Sequence, residues 1–207
     1  MYQLTDTATI KRLLGGQDFR FSKALGQNFL IDPAVCPAMA KQAGLSNDTG
    51  ALEIGAGIGV LTVELAKEAK KVVTFEIDDR LLPVLARTLA DCPNTTVLHQ
   101  DILKSDLPSL VRENFGEMPV SVCANLPYYI TSPILMFLLE SGVSFQTITV
   151  MVQKEAAERI CAPVGSRNAG ALTAAVDYRA EAELLFEVKR TSFLPPPKVD
   201  SAVIRLT

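Results

Sequence analysis

Residues 51–77 read ALEIGAGIGVLTVELAKEAKKVVTFEI, and this stretch decides the fold. ALEIG (51–55) is a short apolar run ending on glycine, as buried strands do. VLTVELAKEA (60–69) spaces its apolar residues as a helix does, with charges between them. KVVTFEI (71–77) is rich in β-branched residues and predicts a second strand. Two parallel strands need a crossover between them, and a helix supplies it.

The alternation continues outward. RLLPVLARTLA (80–90) predicts a helix and TTVLHQ (95–100) a short strand. VSVCANL (120–126) and TITVMVQ (147–153) predict two more strands. Thr131-Ser132-Pro133 has the form of a helix start, with a hydroxyl cap and proline in the first turn. The expectation is an α/β fold, a mostly parallel sheet with helices on both faces. Past residue 153 the pattern changes. KEAAERICA (154–162) and GALTAAVDY (170–178) predict helices, and APVGSRNAG (162–170) a loop. AELLFEV (182–188) and SAVIRLT (201–207) predict strands joined by a proline-rich connection, an antiparallel pair at one sheet edge. In residues 1–49, Asp32-Pro33 predicts a cap and first turn for a helix over PAVCPAMAKQAG. One domain over 1–207, with an N-terminal extension of about residues 1–49, accounts for the whole pattern.

Composition is that of an ordinary folded protein, with 48% apolar and 21% charged residues among 207. No apolar run approaches the roughly 20 residues that span a bilayer, and Met1 to Arg12 is polar, so the expected location is cytoplasmic. The four cysteines are widely spaced without a C-x-x-C pair, which argues against a metal site and a disulfide framework. Cys123, in VSVCANL, reads as a small core residue. His99 is the only histidine and is expected near a strand end. The net charge of −3 argues weakly against a large nucleic-acid interface, because phosphate contacts need clustered cations.

In LEIGAGIGVLT (52–62), Gly55, Gly57 and Gly59 allow a tight turn and let backbone amides approach a ligand. The helix that follows offers free N–H groups. A turn of this kind also occurs without a ligand. The dinucleotide fingerprint G-x-G-x-x-G fits poorly, since its sixth position is Val60 and the third glycine arrives one residue early. S-adenosylmethionine has no phosphates. It needs acceptors for its ribose and its adenine. Glu76 ends the second strand about 20 residues past the glycines, where an acid takes ribose hydroxyls in such sheets. Asp101 ends the third, placed to accept from an adenine amine, with Ile77 and Ile102 as apolar walls.

After the fourth strand comes NLPYYITSPIL (125–135). It matches the N-x-P-Y motif of adenine amino methyltransferases. The lone pair of an adenine amine is delocalised into the ring, so the amine is a poor nucleophile. Two acceptors can hold its N–H groups and favour a more tetrahedral nitrogen. The Asn125 side chain and the Leu126 carbonyl can supply them, Pro127 fixes the turn, and Tyr128 can stack on a base flipped from its helix or loop.

Read in order, SKALGQNFLID, LEIGAGIGVLT, FEID, QDIL, NLPYYITSPIL, MVQKEAAERI and FLPPPKVDSAVIRL resemble the bacterial small-subunit (16S) rRNA adenine dimethyltransferases. These belong to the rRNA adenine N6-methyltransferase family, with eukaryotic pre-rRNA dimethyltransferases, a mitochondrial transcription factor and macrolide-resistance 23S rRNA enzymes as relatives. The paired tyrosines and GQNFL resemble the housekeeping branch more than the resistance branch. The resemblance implies a class I S-adenosylmethionine-dependent methyltransferase (Rossmann-like) fold. It implies N6 dimethylation of two adjacent adenines in a loop near the 3′ end of 16S rRNA, during small-subunit assembly. It also implies that Asn28 and Leu30 meet the cofactor with Gly55, Glu76, Asp101 and Asn125, and that Phe193 covers the far face of the target base. Phe193 beside Leu194 reads equally as a core aromatic. Family members usually continue into a small basic helical domain, whereas this sequence ends at Thr207. Two other functions fit less well: the intact N-L-P-Y and acid set argue against an assembly factor that has lost catalysis, and the misplaced third glycine and lack of a catalytic histidine against a dinucleotide oxidoreductase.

Overall fold

A computed structural model describes residues 2–15, 22 and 26–207. The N-terminal extension also carries the basic residues Lys11, Arg12, Arg20 and Lys23, of which Arg20 and Lys23 lie outside the described residues.

The first helix, α1 (Thr7–Leu13), is capped by Asp6, whose carboxylate accepts from Thr9 N at 2.7 Å. A two-residue strand β1 (Phe29–Leu30) leads to α2 (Val35–Gln42), entered through Asp32, whose side chain accepts from Ala34 N. The expected alternation then runs β2 (Gly50–Ile54), α3 (Val60–Glu68), β3 (Lys71–Glu76), α4 (Leu82–Thr88), β4 (Thr95–His99), α5 (Leu107–Phe115), β5 (Val120–Asn125), α6 (Thr131–Glu140) and β6 (Phe145–Gln153), with α5 an addition that the sequence pattern does not single out. Two short helices, α7 (Lys154–Ile160) and α8 (Ala171–Asp177), precede β7 (Ala182–Val188), β8 (Phe193–Leu194) and β9 (Ser201–Leu206).

The main sheet has the order β4-β3-β2-β5-β6-β9-β7. Its first five strands are parallel, and β9 runs antiparallel to both β6 and β7. The expected antiparallel pair is therefore present, with β9 inserted between its partners. The chain winds from β2 outward through β3 and β4, then returns to place β5 on the other flank of β2. That reversal is a topological switch point, where ligands of open α/β sheets bind at the carboxyl ends of the strands.

Alternation along the strands sorts side chains between two layers. Leu52, Ile54, Val122 and Ala124 face a core closed by Leu110 and Phe115 of α5 and Leu135 and Leu138 of α6. Ala51, Val72, Cys123 and Met151 face the opposite core, closed by Met39 of α2 and Leu61 and Leu65 of α3. Cys36 and Cys123 are both buried in that second layer as free thiols, and burial pushes their pKa values up. A third cluster packs α1 against α4 through Ile10, Leu13, Leu81 and Leu85.

Two local readings change. The Thr131 hydroxyl does not cap α6. It donates back to the Pro127 carbonyl at 3.3 Å, because Thr131 is already the first helical residue after a 3-10 turn over Tyr128–Ile130. The other concerns residues 29–30 and 193–194, which carry no strand signal yet pair as an antiparallel ribbon. In it Phe29 faces Leu194 and Leu30 faces Phe193. Two residues per strand are too few for a periodic pattern, so only the tertiary fold defines this ribbon.

Candidate active site

A cavity of about 290 Å³ opens at the carboxyl ends of β2, β3, β4 and β5. Asn28, Leu30, Gly55, Gly57, Glu76, Ile77, Asp101, Ile102, Asn125, Leu126, Pro127, Tyr128 and Phe193 all line it. The sequence-predicted set thus converges on one place, with one exception. Gly59 does not line the cavity: a Cβ there would meet Leu89 Cδ2 at 3.0 Å and Thr88 Oγ1 at 3.2 Å, so this glycine lets α3 close on α4. Gly59 has a φ of +89°, and Gly55 shares that left-handed backbone but not the crowding. At Gly55 φ is +81°, and a Cβ would meet nothing within 4 Å, so the backbone conformation demands glycine and the space beside it is free.

Glu76 is 6% exposed. One carboxylate oxygen accepts from Gly57 N at 2.7 Å, and the other from Ile77 N at 2.9 Å and Asp78 N at 2.8 Å. The glycine turn is thereby pinned to the end of the neighbouring strand. Burial raises the Glu76 pKa against the pull of these three donors. A carboxylate offers about four acceptor positions, so one remains for a ligand. The adjoining Asp78 accepts from the Arg80 guanidinium and from Gln27 Nε2 at 2.6 Å. Gln27 thus straps the GQNFL segment to the end of β3. Next to it, Asn28 donates to the Gly26 carbonyl at 3.0 Å.

Asp101 begins a 3-10 turn over Ile102–Lys104 and accepts from Leu103 N at 3.1 Å. Beside it Ile102 is buried and Ile77 exposed. His99 ends β4, with Nε2 3.3 Å from the Ile77 carbonyl. Leu126 N donates to the Met151 carbonyl, fixing the turn that follows β5. The Asn125 amide makes no hydrogen bond to the described residues and lines the cavity. Tyr128 is half-buried, and its hydroxyl meets Ser201 Oγ at 2.5 Å. Phe193 is 2% exposed, packed in the α2–α3 core, yet reaches the cavity wall. The core reading of that aromatic is thereby met, and the ring also borders the cavity.

Three residues escaped the sequence reading. Glu53, within LEIG, is 1% exposed and lines the cavity on the α3 side. It accepts from Thr62 Oγ1 at 2.6 Å, and burial pushes its pKa up to about 7. The Thr74 hydroxyl makes no hydrogen bond of ordinary geometry, yet it too favours the charged form. An acid inside a wholly buried strand was the available signal. Ser201 and Gln27 left none, since their partners lie 73 and 51 residues away.

The cations available to a phosphate backbone are partly engaged. Lys154 pairs with Glu187 at 2.6 Å and Arg159 with Glu155 at 3.1 Å. Among the described residues, Arg167 and Lys198 have no ion pair. No cluster of metal-binding side chains occurs among the described residues, and no helix is long and apolar enough to cross a membrane.

Residues 18–207 match the ribosomal RNA adenine dimethylase family. A ribosomal RNA small subunit methyltransferase A of Geobacillus thermodenitrificans is 52% identical over 198 residues, covering 95% of this chain and 68% of that protein. The chain thus spans about two thirds of such relatives. Among solved structures, a dimethyladenosine transferase from Plasmodium falciparum superposes with a TM-score of 0.75 at 35% identity, covering 86% of this chain and 62% of that one. A 23S rRNA methyltransferase superposes equally well, at 36% identity over 86% of this chain and 69% of its own.

Proposed function

The chain belongs to the ribosomal RNA adenine dimethylase family, and from that premise we propose how its cavity works. It is an S-adenosylmethionine-dependent rRNA adenine dimethyltransferase with the class I Rossmann-like fold. Its target is a pair of adjacent adenines in a loop near the 3′ end of 16S rRNA. The relatives' small-subunit names support that choice. The setting is the assembling subunit in the cytoplasm.

One observation carries the assignment: the glycine turn, Glu76, Asp101 and Asn125 border one cavity at the switch point of the sheet. The cavity fits the methyl donor by its own chemistry. Open space at Gly55 admits a ligand against the backbone. Glu76 keeps one acceptor position for a ribose hydroxyl. Asp101 accepts from the adenine amine between Ile77 and Ile102. When bound, S-adenosylmethionine supplies an electrophilic methyl group on a sulfonium. Asn28 and Leu30 close the cavity from the N-terminal segment.

The protein's part is to present the nucleophile. Asn125 Oδ1 and the Leu126 carbonyl accept the two N–H groups of the adenine amine in the first transfer, and one of them accepts the single N–H that remains in the second. That turns the nitrogen lone pair away from the ring and towards the methyl group. Each transfer releases one amine proton. Tyr128 and Phe193 bracket the flipped base. A dinucleotide reading fares worse, because the third glycine arrives one residue early and Val60 takes its place in the fingerprint. The test is incubation with radiolabelled S-adenosylmethionine and immature small subunits. Label recovered as N6,N6-dimethyladenosine is expected. Absence of label, or calorimetric binding of NAD in place of the methyl donor, would overturn the assignment.

A further inference from the structure

β9 begins at Ser201, which pairs with Gln153 of β6 on one side and Val188 of β7 on the other. The residue before it is clamped as well. The Asp200 carbonyl accepts from Lys154 N, and its carboxylate accepts from Arg190 N at 2.9 Å and from Lys189 Nζ at 3.2 Å. Ser201 is fully buried, and among the described residues its hydroxyl meets only the Tyr128 hydroxyl. Tyr128, by contrast, opens a three-residue 3-10 turn that has no side-chain cap. Its backbone alone leaves the ring free to choose among rotamers.

We infer that Ser201 is a positioning residue for methyl transfer: it anchors the Tyr128 hydroxyl and so sets the plane on which the target base stacks. This rests on the stacking role proposed for Tyr128. The physical argument is that a ring held by both its Cα and its para oxygen has lost its freedom before RNA arrives. Less ordering then remains to be done on binding. The clamp on Asp200 matters because an anchor must be stiffer than what it holds. Loss of either hydroxyl also has a cost of its own. Tyr128→Phe strands the Ser201 hydroxyl, fully buried, without a partner.

A double-mutant cycle on the full-length protein tests this, with Ser201→Ala, Tyr128→Phe and both together. Each single change should lower kcat on immature subunits by about fivefold to tenfold, as expected for one buried hydrogen bond. The pair should be no worse than either alone, because both remove the same contact. S-adenosylmethionine affinity should not move. A 2-aminopurine at the target position should lose stacking quench equally in all three variants. Multiplicative losses, or an unchanged quench with a lowered melting temperature, would make Ser201 merely structural and overturn the inference. Tyr128→Ala separates the two claims. If it leaves kcat intact, the stacking reading fails; if it abolishes kcat while Ser201→Ala is silent, only the anchor fails.

Discussion

The two halves of the cavity are built differently. The β2–β4 half comes from consecutive strand-helix units, and each group sits where its own strand ends: the glycine turn after β2, Glu76 on β3, Asp101 after β4. The other half is assembled across the chain. Tyr128 leans on Ser201, 73 residues away, and Leu30 pairs with Phe193. Ser192 Oγ donates to Asp32 Oδ2 across 160 residues. Apart from Asn28 and Leu30, the half proposed to hold the methyl donor is thus a local product of the parallel sheet. The half proposed to take the base exists only once β9 has inserted and the β1–β8 ribbon has closed. Changes in the first half should act on cofactor affinity and local stability, and changes in the second on turnover.

The largest effect expected is at the seam. Asn125→Ala should lower kcat by about a hundredfold or more while leaving S-adenosylmethionine affinity within a few-fold, since holding the amine matters most in the transition state. Calorimetry beside single-turnover methyl transfer measures the split. A parallel loss of affinity would move Asn125 into the donor half.

Next comes Glu53. Its folded pKa of about 7 exceeds that of the unfolded chain, so the folded state holds the proton longer. The stability this proton contributes is fully present below about pH 4.5 and is lost as pH rises to about 7. The loss is up to about 3 kcal/mol, levelling off above that pH. Glu53→Gln should flatten the slope of stability against pH between those values in urea melts of the ligand-free protein. An unchanged slope would show that Glu53 is ionised throughout.

Glu76→Ala should weaken S-adenosylmethionine binding by about 1–3 kcal/mol and also lower stability, because three backbone donors lose their acceptor together. Affinity loss with no change in melting temperature would mean that the turn holds without it. The smallest effect is at the strap between the halves. Gln27→Ala should cost about 1 kcal/mol of stability, the net value of a hydrogen bond, and leave kcat nearly unchanged. A large loss of kcat would show that the GQNFL segment also orders the base-binding side.

By itself the sequence determined the main sheet, most of its helices though not α5, and the strand-end groups. Those follow from hydrophobic period, glycine placement and β-branched runs, all of which act over a few residues. It located Gly55, Glu76, Asp101 and Asn125 because each is the terminal group of an element whose type is legible. It also placed β7 and β9 as an antiparallel pair. The fold alone decided three other things. Gly59 turned out to serve helix packing, because which way a Cα faces depends on where α4 lies. Glu53 became a buried titratable group, because its strand is covered by α2 and α3. The Tyr128 hydroxyl gained a partner, because β9 inserts beside β6 and carries Ser201 to it. Local propensity cannot encode such contacts. Their partners are far apart in the chain, and only burial in a packed core makes them compulsory.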